Sequence, residues 1–111
     1  MRRDEKILVV EDNPTICREM EQRFNCDCAT DGWAAIEKLE TRDYAAILID
    51  ADVPNHSGYG VLTYLREEVG DELPNVILMT GSDRDEVRRR VGHLTVVAKG
   101  EAAEEVERRL R

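Results

Sequence analysis

Five short apolar runs recur along the chain, Ile7–Val10, a weaker Cys26–Ala29, Ala45–Ile49, Val76–Met79 and Val96–Ala98, each separated from the next by a segment with helical signals. This alternation constrains the fold more than any other feature. Uninterrupted runs of this length suit strands buried on both faces, and parallel neighbours need a crossover, which a helix supplies. Asn13-Pro14 reads as an N-cap with proline at the first helical position, and Ile16, Met20 and Phe24 then follow at a spacing of four. Asp31 can cap a second helix bearing Ala35, Ile36 and Leu39, and Ser57 a third bearing Val61, Leu62 and Leu65, with Gly70 as its stop. A fourth, shorter helix is expected from the Ser82/Asp83 cap to Gly92. The last segment sets Ala102, Val106 and Leu110 on one face, with glutamates early and arginines late, the sense that the helix dipole favours. The expected class is α/β: a doubly wound five-stranded parallel sheet with helices on both faces.

The length of 111 residues suits a single domain over 1–111, and no internal repeat or linker marks a second. A net charge of −8 argues against a general nucleic-acid binder, because phosphate backbones attract basic surfaces. The apolar runs are too short for a signal peptide or membrane anchor, so the expected location is the cytoplasm. Cys17, Cys26 and Cys28 are odd in number and lack CxxC spacing, which predicts ordinary reduced thiols, with neither a disulfide framework nor a zinc site. His56 and His93 read as solvated loop residues. The Arg88-Arg89-Arg90 run reads as a solvated helix face ahead of a partner-docking patch, since adjacent residues point in different directions around a helix.

In open α/β sheets the ligand site lies beyond the carboxyl ends of the strands. The residues there are polar: Glu11 and Asp12 after the first run, Asp50 and Asp52 after the third, Thr80 and Ser82 after the fourth, Lys99 after the fifth. Carboxylates crowded at one edge repel one another unless a cation or a lysine stands between them. An all-oxygen site open to water suits Mg²⁺ or Mn²⁺, hard cations that also bind phosphate oxygens. Asp50 could then attack phosphorus as a carboxylate nucleophile, with the cation and Lys99 neutralising the transferred oxygens and Thr80 donating a hydrogen bond to them.

The segments ILVVEDNP at 7–14, AAILIDADVPNHSGYG at 45–60, VILMTGS at 76–82 and VVAKG at 96–100 resemble, in order and approximate spacing, the receiver domains of two-component response regulators. The resemblance covers essentially the whole chain. It implies a flavodoxin-like receiver fold whose phosphoacceptor is Asp50, supplied by a sensor histidine kinase or phosphotransfer protein. It also implies direct metal binding by Asp12, metal binding largely through water by Glu11, and a backbone carbonyl ligand from Asp52. Thr80 would be the switch hydroxyl and Lys99 the phosphate-contacting amine. Such a domain signals through contacts with a downstream protein effector and is not a classical enzyme. The plainer alternatives are that Glu11 and Asp12 end a strand and cap a helix, that Thr80 is a β-compatible residue, and that Lys99 is a solvated lysine.

Three positions depart from the family pattern. Lys99 is followed by Gly100 where the family commonly has proline with a cis peptide, so a cis bond is not expected here. Val96 stands where an aromatic rotamer switch is usual, and the stretch from Thr80 to Lys99 is a few residues short. The expected movable element is therefore the loop from Thr80 to Asp85, where Gly81 permits backbone change. Two rival functions remain: a pseudo-receiver that binds partners without phosphate, and a phosphatase resembling the haloacid-dehalogenase pattern, with Asp50 as nucleophile and Asp52 as general acid. The order of motifs opposes the second, because that family opens with the nucleophile strand and here the acidic pair comes first.

Overall fold

Successive strand residues point to opposite faces of a sheet, so a run in which every residue is buried must be covered on both sides. The computed structural model, which describes residues 5–53 and 57–110, shows this cover. β1 (Ile7–Val10), β2 (Cys26–Ala29), β3 (Ala46–Asp50), β4 (Val76–Thr80) and β5 (Thr95–Ala98) form one parallel sheet in the order β2-β1-β3-β4-β5. All residues of β1, β3 and β4 are buried, whereas the outer strands β2 and β5 are partly exposed. The helices are α1 (Pro14–Arg23), α2 (Gly32–Thr41), α3 (Ser57–Val69), α4 (Arg84–Val91) and α5 (Ala102–Arg109), the last preceded by a 3₁₀ turn at Lys99–Glu101.

The two faces have separate cores. Ile7, Val9, Leu48, Ile77 and Met79 meet Met20 and Phe24 from the α1 segment and Ala102, Val106 and Leu110 from the α5 segment. On the other face, Leu8, Val10, Ile47, Ile49 and Leu78 meet Ala35 of α2, Val61, Leu62 and Leu65 of α3, and Val87 and Val91 of α4. Val96 joins this second core beside α4.

Three of the expected caps are present. Asn13 accepts a hydrogen bond from the Thr15 amide, Asp31 from Ala34, and Asp83 from Asp85 and Glu86. Ser57, expected as the cap of the third helix, is instead the first residue of α3, and the position before it, the expected loop residue His56, lies outside the described residues. Gly70 and Gly92 follow α3 and α4 with φ of 103° and 70°, backbone that disfavours other residues. β2 is weak in hydrophobicity because Asp27 interrupts it, and its side chain explains how the strand is held. It takes hydrogen bonds from Lys6 and from the Tyr44 hydroxyl.

One further expectation needs correction. Cys17 of α1 and Cys28 of β2 are joined by a disulfide, leaving Cys26 as the free thiol. The odd count did not preclude a pair, because α1 crosses directly over β2 and brings an α1 residue above a β2 side chain. The Arg88-Arg89-Arg90 run is exposed, as expected of a solvated face, though two of its side chains also make contacts. Arg88 donates to the Val96 carbonyl, and the Arg90 guanidinium lies 3.9 Å from the centre of the Tyr59 ring. His93 is exposed, as expected, with a ring nitrogen 3.1 Å from the Glu72 carbonyl.

Candidate functional site

The carboxyl ends of β1 and β3 lie side by side at the point where the chain winds away in opposite directions, and such crevices are where open parallel sheets bind ligands. β1 delivers Glu11 and Asp12 there and β3 delivers Asp50. One oxygen from each of these three carboxylates lies within 4.8 Å of the others. Glu11 and Asp50 are buried, while Asp12 is exposed at the rim.

Each buried carboxylate has one oxygen engaged and one left over. Glu11 Oε1 accepts from the Asn13 amide at 3.1 Å, and Asp50 Oδ1 accepts from the Asp52 amide at 2.8 Å. Glu11 Oε2 and Asp50 Oδ2 have no directed hydrogen bond among the described residues. Facing them is the Lys99 ammonium, 2.8 Å from Asp50 Oδ2 and 3.5 Å from Glu11 Oε2, close enough for ion pairing. Two under-satisfied buried oxygens converging with an exposed carboxylate suit a small hard cation, which prefers oxygen ligands and keeps some of its water.

The charges respond to this crowding. Burial pushes the Glu11 carboxyl up from 4.5 to about 7; the Asn13 hydrogen bond and Lys99 oppose that rise, and the Asp50 charge adds to it. Lys99 moves the other way relative to its burial. Desolvation favours its neutral form, but the close contact and charge of Asp50, together with the charges of Glu11 and Asp52, hold it above its ordinary value. Lys99 reaches the carboxylates although no cis peptide bond is present among the described residues. The 3₁₀ turn that begins at Lys99 directs the chain into α5 without proline.

The structure therefore brings together Glu11, Asp12, Asp50 and Lys99, while Thr80 and Asp52 form a second group beside them. Thr80 is the buried last residue of β4, and its hydroxyl lies 2.9 Å from Asp52 Oδ1 and 3.1 Å from Oδ2. The Gly81 amide donates to Asp52 Oδ2 at 2.7 Å, and the Ser82 hydroxyl lies 3.4 Å from Oδ1. Sequence reasoning assigned Asp52 through its backbone carbonyl and missed what its side chain does. It also missed Gly58. A Cβ there would stand 2.6 Å from the Asp50 carbonyl oxygen, so only glycine lets α3 lie this close to the end of β3. Glycine one position inside the expected Ser57 cap was the available signal.

The strand order and the polar crevice at the β1/β3 switch point place the chain in the flavodoxin-like class of doubly wound domains. Within that class it belongs to the response regulator receiver domain family, whose model matches residues 7–111. The transcriptional regulatory protein TctD of Salmonella typhimurium is 34% identical over 116 residues, which cover 96% of this chain and 50% of TctD. The chain thus spans about half the length of that relative. Among solved structures, the Francisella response regulator 1452 receiver domain is 25% identical with a TM-score of 0.74, the alignment covering 96% of this chain and 93% of that one. Response regulator TrrA of Thermotoga maritima, solved in complex with Mg(2+)-BeF, is 26% identical with a TM-score of 0.70, covering 94% and 97%. Membership in the receiver family sets aside the phosphatase alternative, since receiver domains are signalling modules.

Proposed function

We propose that this receiver domain accepts a phosphoryl group on Asp50, with Mg²⁺ or Mn²⁺ held by Asp12 and Asp50 directly, by Glu11 largely through water, and by the Asp52 backbone carbonyl. The observation that carries this reading is the Lys99 ammonium 2.8 Å from an oxygen of Asp50 that has no directed hydrogen bond among the described residues. A buried carboxylate with one oxygen fixed by the Asp52 amide and the other facing a cation is oriented for attack. The exposed Asp12 can reach a hydrated ion, while Glu11 is confined by its bond to the Asn13 amide.

In the transfer, an Asp50 oxygen forms a bond to phosphorus as the bond from phosphorus to the donor nitrogen or acyl oxygen breaks, leaving an acyl phosphate on the protein. A nitrogen donor takes up a proton from solvent as it leaves, whereas an acyl donor leaves as its carboxylate. Lys99 balances charge on the incoming oxygens, and Thr80 supplies a hydroxyl to one of them. A bound divalent cation supplies further positive charge to the same oxygens. The donor is a sensor histidine kinase or phosphotransfer protein, and the output is contact with a downstream protein. This acidic domain makes no direct contact with nucleic acid in this reading; the transcriptional regulatory protein TctD is about twice its length.

No helix among the described residues is long and apolar enough to cross a membrane. We assign the domain to the cytoplasm, where reducing conditions would tend to open the Cys17–Cys28 bond to two adjacent thiols. The test of the main reading is intact mass after treatment with acetyl phosphate and Mg²⁺. One added phosphoryl group in the wild type and none in Asp50→Asn supports it; an unmodified wild type refutes it. The pseudo-receiver reading draws support from one observation, the Asp52 carboxylate already hydrogen-bonded to Thr80 and Gly81, and it predicts no mass change.

A further inference from the structure

Thr80 Oγ1 and the Gly81 amide are hydrogen-bond donors at the carboxyl end of β4, the strand next to the one that ends in Asp50. Both are engaged by one side chain, the carboxylate of Asp52, at 2.9 Å from the hydroxyl and 2.7 Å from the amide. A hydroxyl has one proton to give and an amide one, so neither can serve a second acceptor at full strength while Asp52 stays in place. The Thr80 oxygen is further restrained as an acceptor, since the Ser82 amide donates to it at 3.1 Å. The Asp52 carboxylate offers two oxygens, so to these donors it presents what a phosphoryl group would present. Lys99 belongs to the same setting, because its charge is held in part by Asp52 and its aliphatic stem flanks Gly81.

We propose that the Asp52 side chain is an internal competitor for the phosphoryl group, a positioning residue that occupies the Thr80–Gly81 donors until phosphorylation of Asp50 displaces it. This rests on Asp50 being the phosphoacceptor. Displacement has a destination. A cavity of about 160 Å³ lies next to Asp52, lined also by Tyr59, Ser82, Glu86 and Arg90. Arg90 is held there by stacking on Tyr59 and offers the cavity's positive charge, against Asp83 and Glu86 on its acidic side. Asp52 therefore has two places: on Thr80 and Gly81 without phosphate, and in the cavity with it. With Asp52 seated, Thr80 already faces the site, so phosphorylation exchanges one anion for another at β4 and releases a carboxylate toward α4.

The experiment uses the full chain as wild type, Asp52→Ala and Asp52→Asn, all of which keep the residue 52 carbonyl. Without metal or phosphate, the Gly81 amide proton in NMR should move strongly upfield in Asp52→Ala, with Asp52→Asn between. With Mg²⁺, the affinity for beryllofluoride should rise on the order of tenfold in Asp52→Ala, because charge-assisted hydrogen bonds no longer have to be given up. A Gly81 signal indifferent to Asp52 overturns the proposal by showing that the contact is absent in solution. A shifted Gly81 signal with equal beryllofluoride affinity in wild type and Asp52→Ala overturns it by showing that there is no competition. Failure of both proteins to bind beryllofluoride also overturns it, and that outcome alone counts against the phosphoacceptor reading as well.

Discussion

Replacing Gly58 by alanine should weaken both the fold and the site, and the geometry sets the size. The new Cβ would lie 2.6 Å from the Asp50 carbonyl oxygen, 3.2 Å from Ile49 Cγ2 and 3.5 Å from Ala51 Cα. Ordinary contact begins near 3.4 Å, so α3 and the end of β3 must part by roughly 0.8 Å at this point. The obstacle is main chain in the middle of a parallel sheet, which cannot rotate away as a side chain could. Overpacking of this kind costs about 1–3 kcal/mol, against a gain of up to about 1 kcal/mol from removing a helical glycine. A net loss of about 1–2 kcal/mol is expected. Gly60, on the same helix with nothing among the described residues within 4 Å of its Cβ position, is the control, and Gly60→Ala should gain about 0.5–1 kcal/mol. Urea denaturation followed by circular dichroism, with slopes compared, measures both. Because the displaced group is the peptide carrying Asp50, Mg²⁺ affinity should fall in Gly58→Ala and hold in Gly60→Ala. Equal stability of the two variants would refute the steric argument.

Proton competition at Glu11 gives a pH prediction. Its folded pKa of about 7 lies above the ordinary 4.5, so the metal-free native state binds more protons than the unfolded chain and should lose stability as pH rises from 4.5 to 7. In the same range Mg²⁺ binding should strengthen by up to about tenfold per pH unit, with proton release seen by calorimetry in buffers of different ionisation enthalpy; pH-independent binding would contradict the assignment. Asp12→Asn should weaken Mg²⁺ binding more than Glu11→Gln, as a direct charged ligand is lost in the first case; equal losses in an NMR titration would contradict the proposed roles. Reduction of Cys17–Cys28, or Cys17→Ser, should lower stability by about 3 kcal/mol in a urea titration, and an unchanged midpoint would show that the bond does not constrain the unfolded chain.

Much of this fold could be read from the chain because β1, β3 and β4 are buried on both faces, which leaves an uninterrupted apolar signature. β2 was harder, since Asp27 breaks the pattern and is accommodated only by Lys6 and Tyr44, partners distant in sequence. The site residues were legible for a topological reason: in a parallel sheet every strand ends on the same edge, so polar residues following apolar runs must meet. What escaped were relations across that edge. The Asp52 carboxylate chooses between solvent and Thr80 according to where β4 ends, and Gly58 matters through the height of α3 above β3. The Cys17–Cys28 pairing likewise depends on how α1 lies over β2, which no spacing rule contains.

The disulfide also changes the molecule as a mechanical object. A chain pulled from its ends normally pays out as one strand, but while Cys17 and Cys28 are joined, tension passes through the sulfurs and the intervening segment bears no load. The hidden segment has a sequence separation of 11, equivalent to about 40 Å of extended contour. In single-molecule pulling, the fully stretched oxidised chain should therefore be shorter than the reduced one by that length less the 6.0 Å spanned by the bridge, about 34 Å. An unfoldase drawing the oxidised chain through a narrow ring would meet, at this one place, a loop that requires passage of two strands abreast.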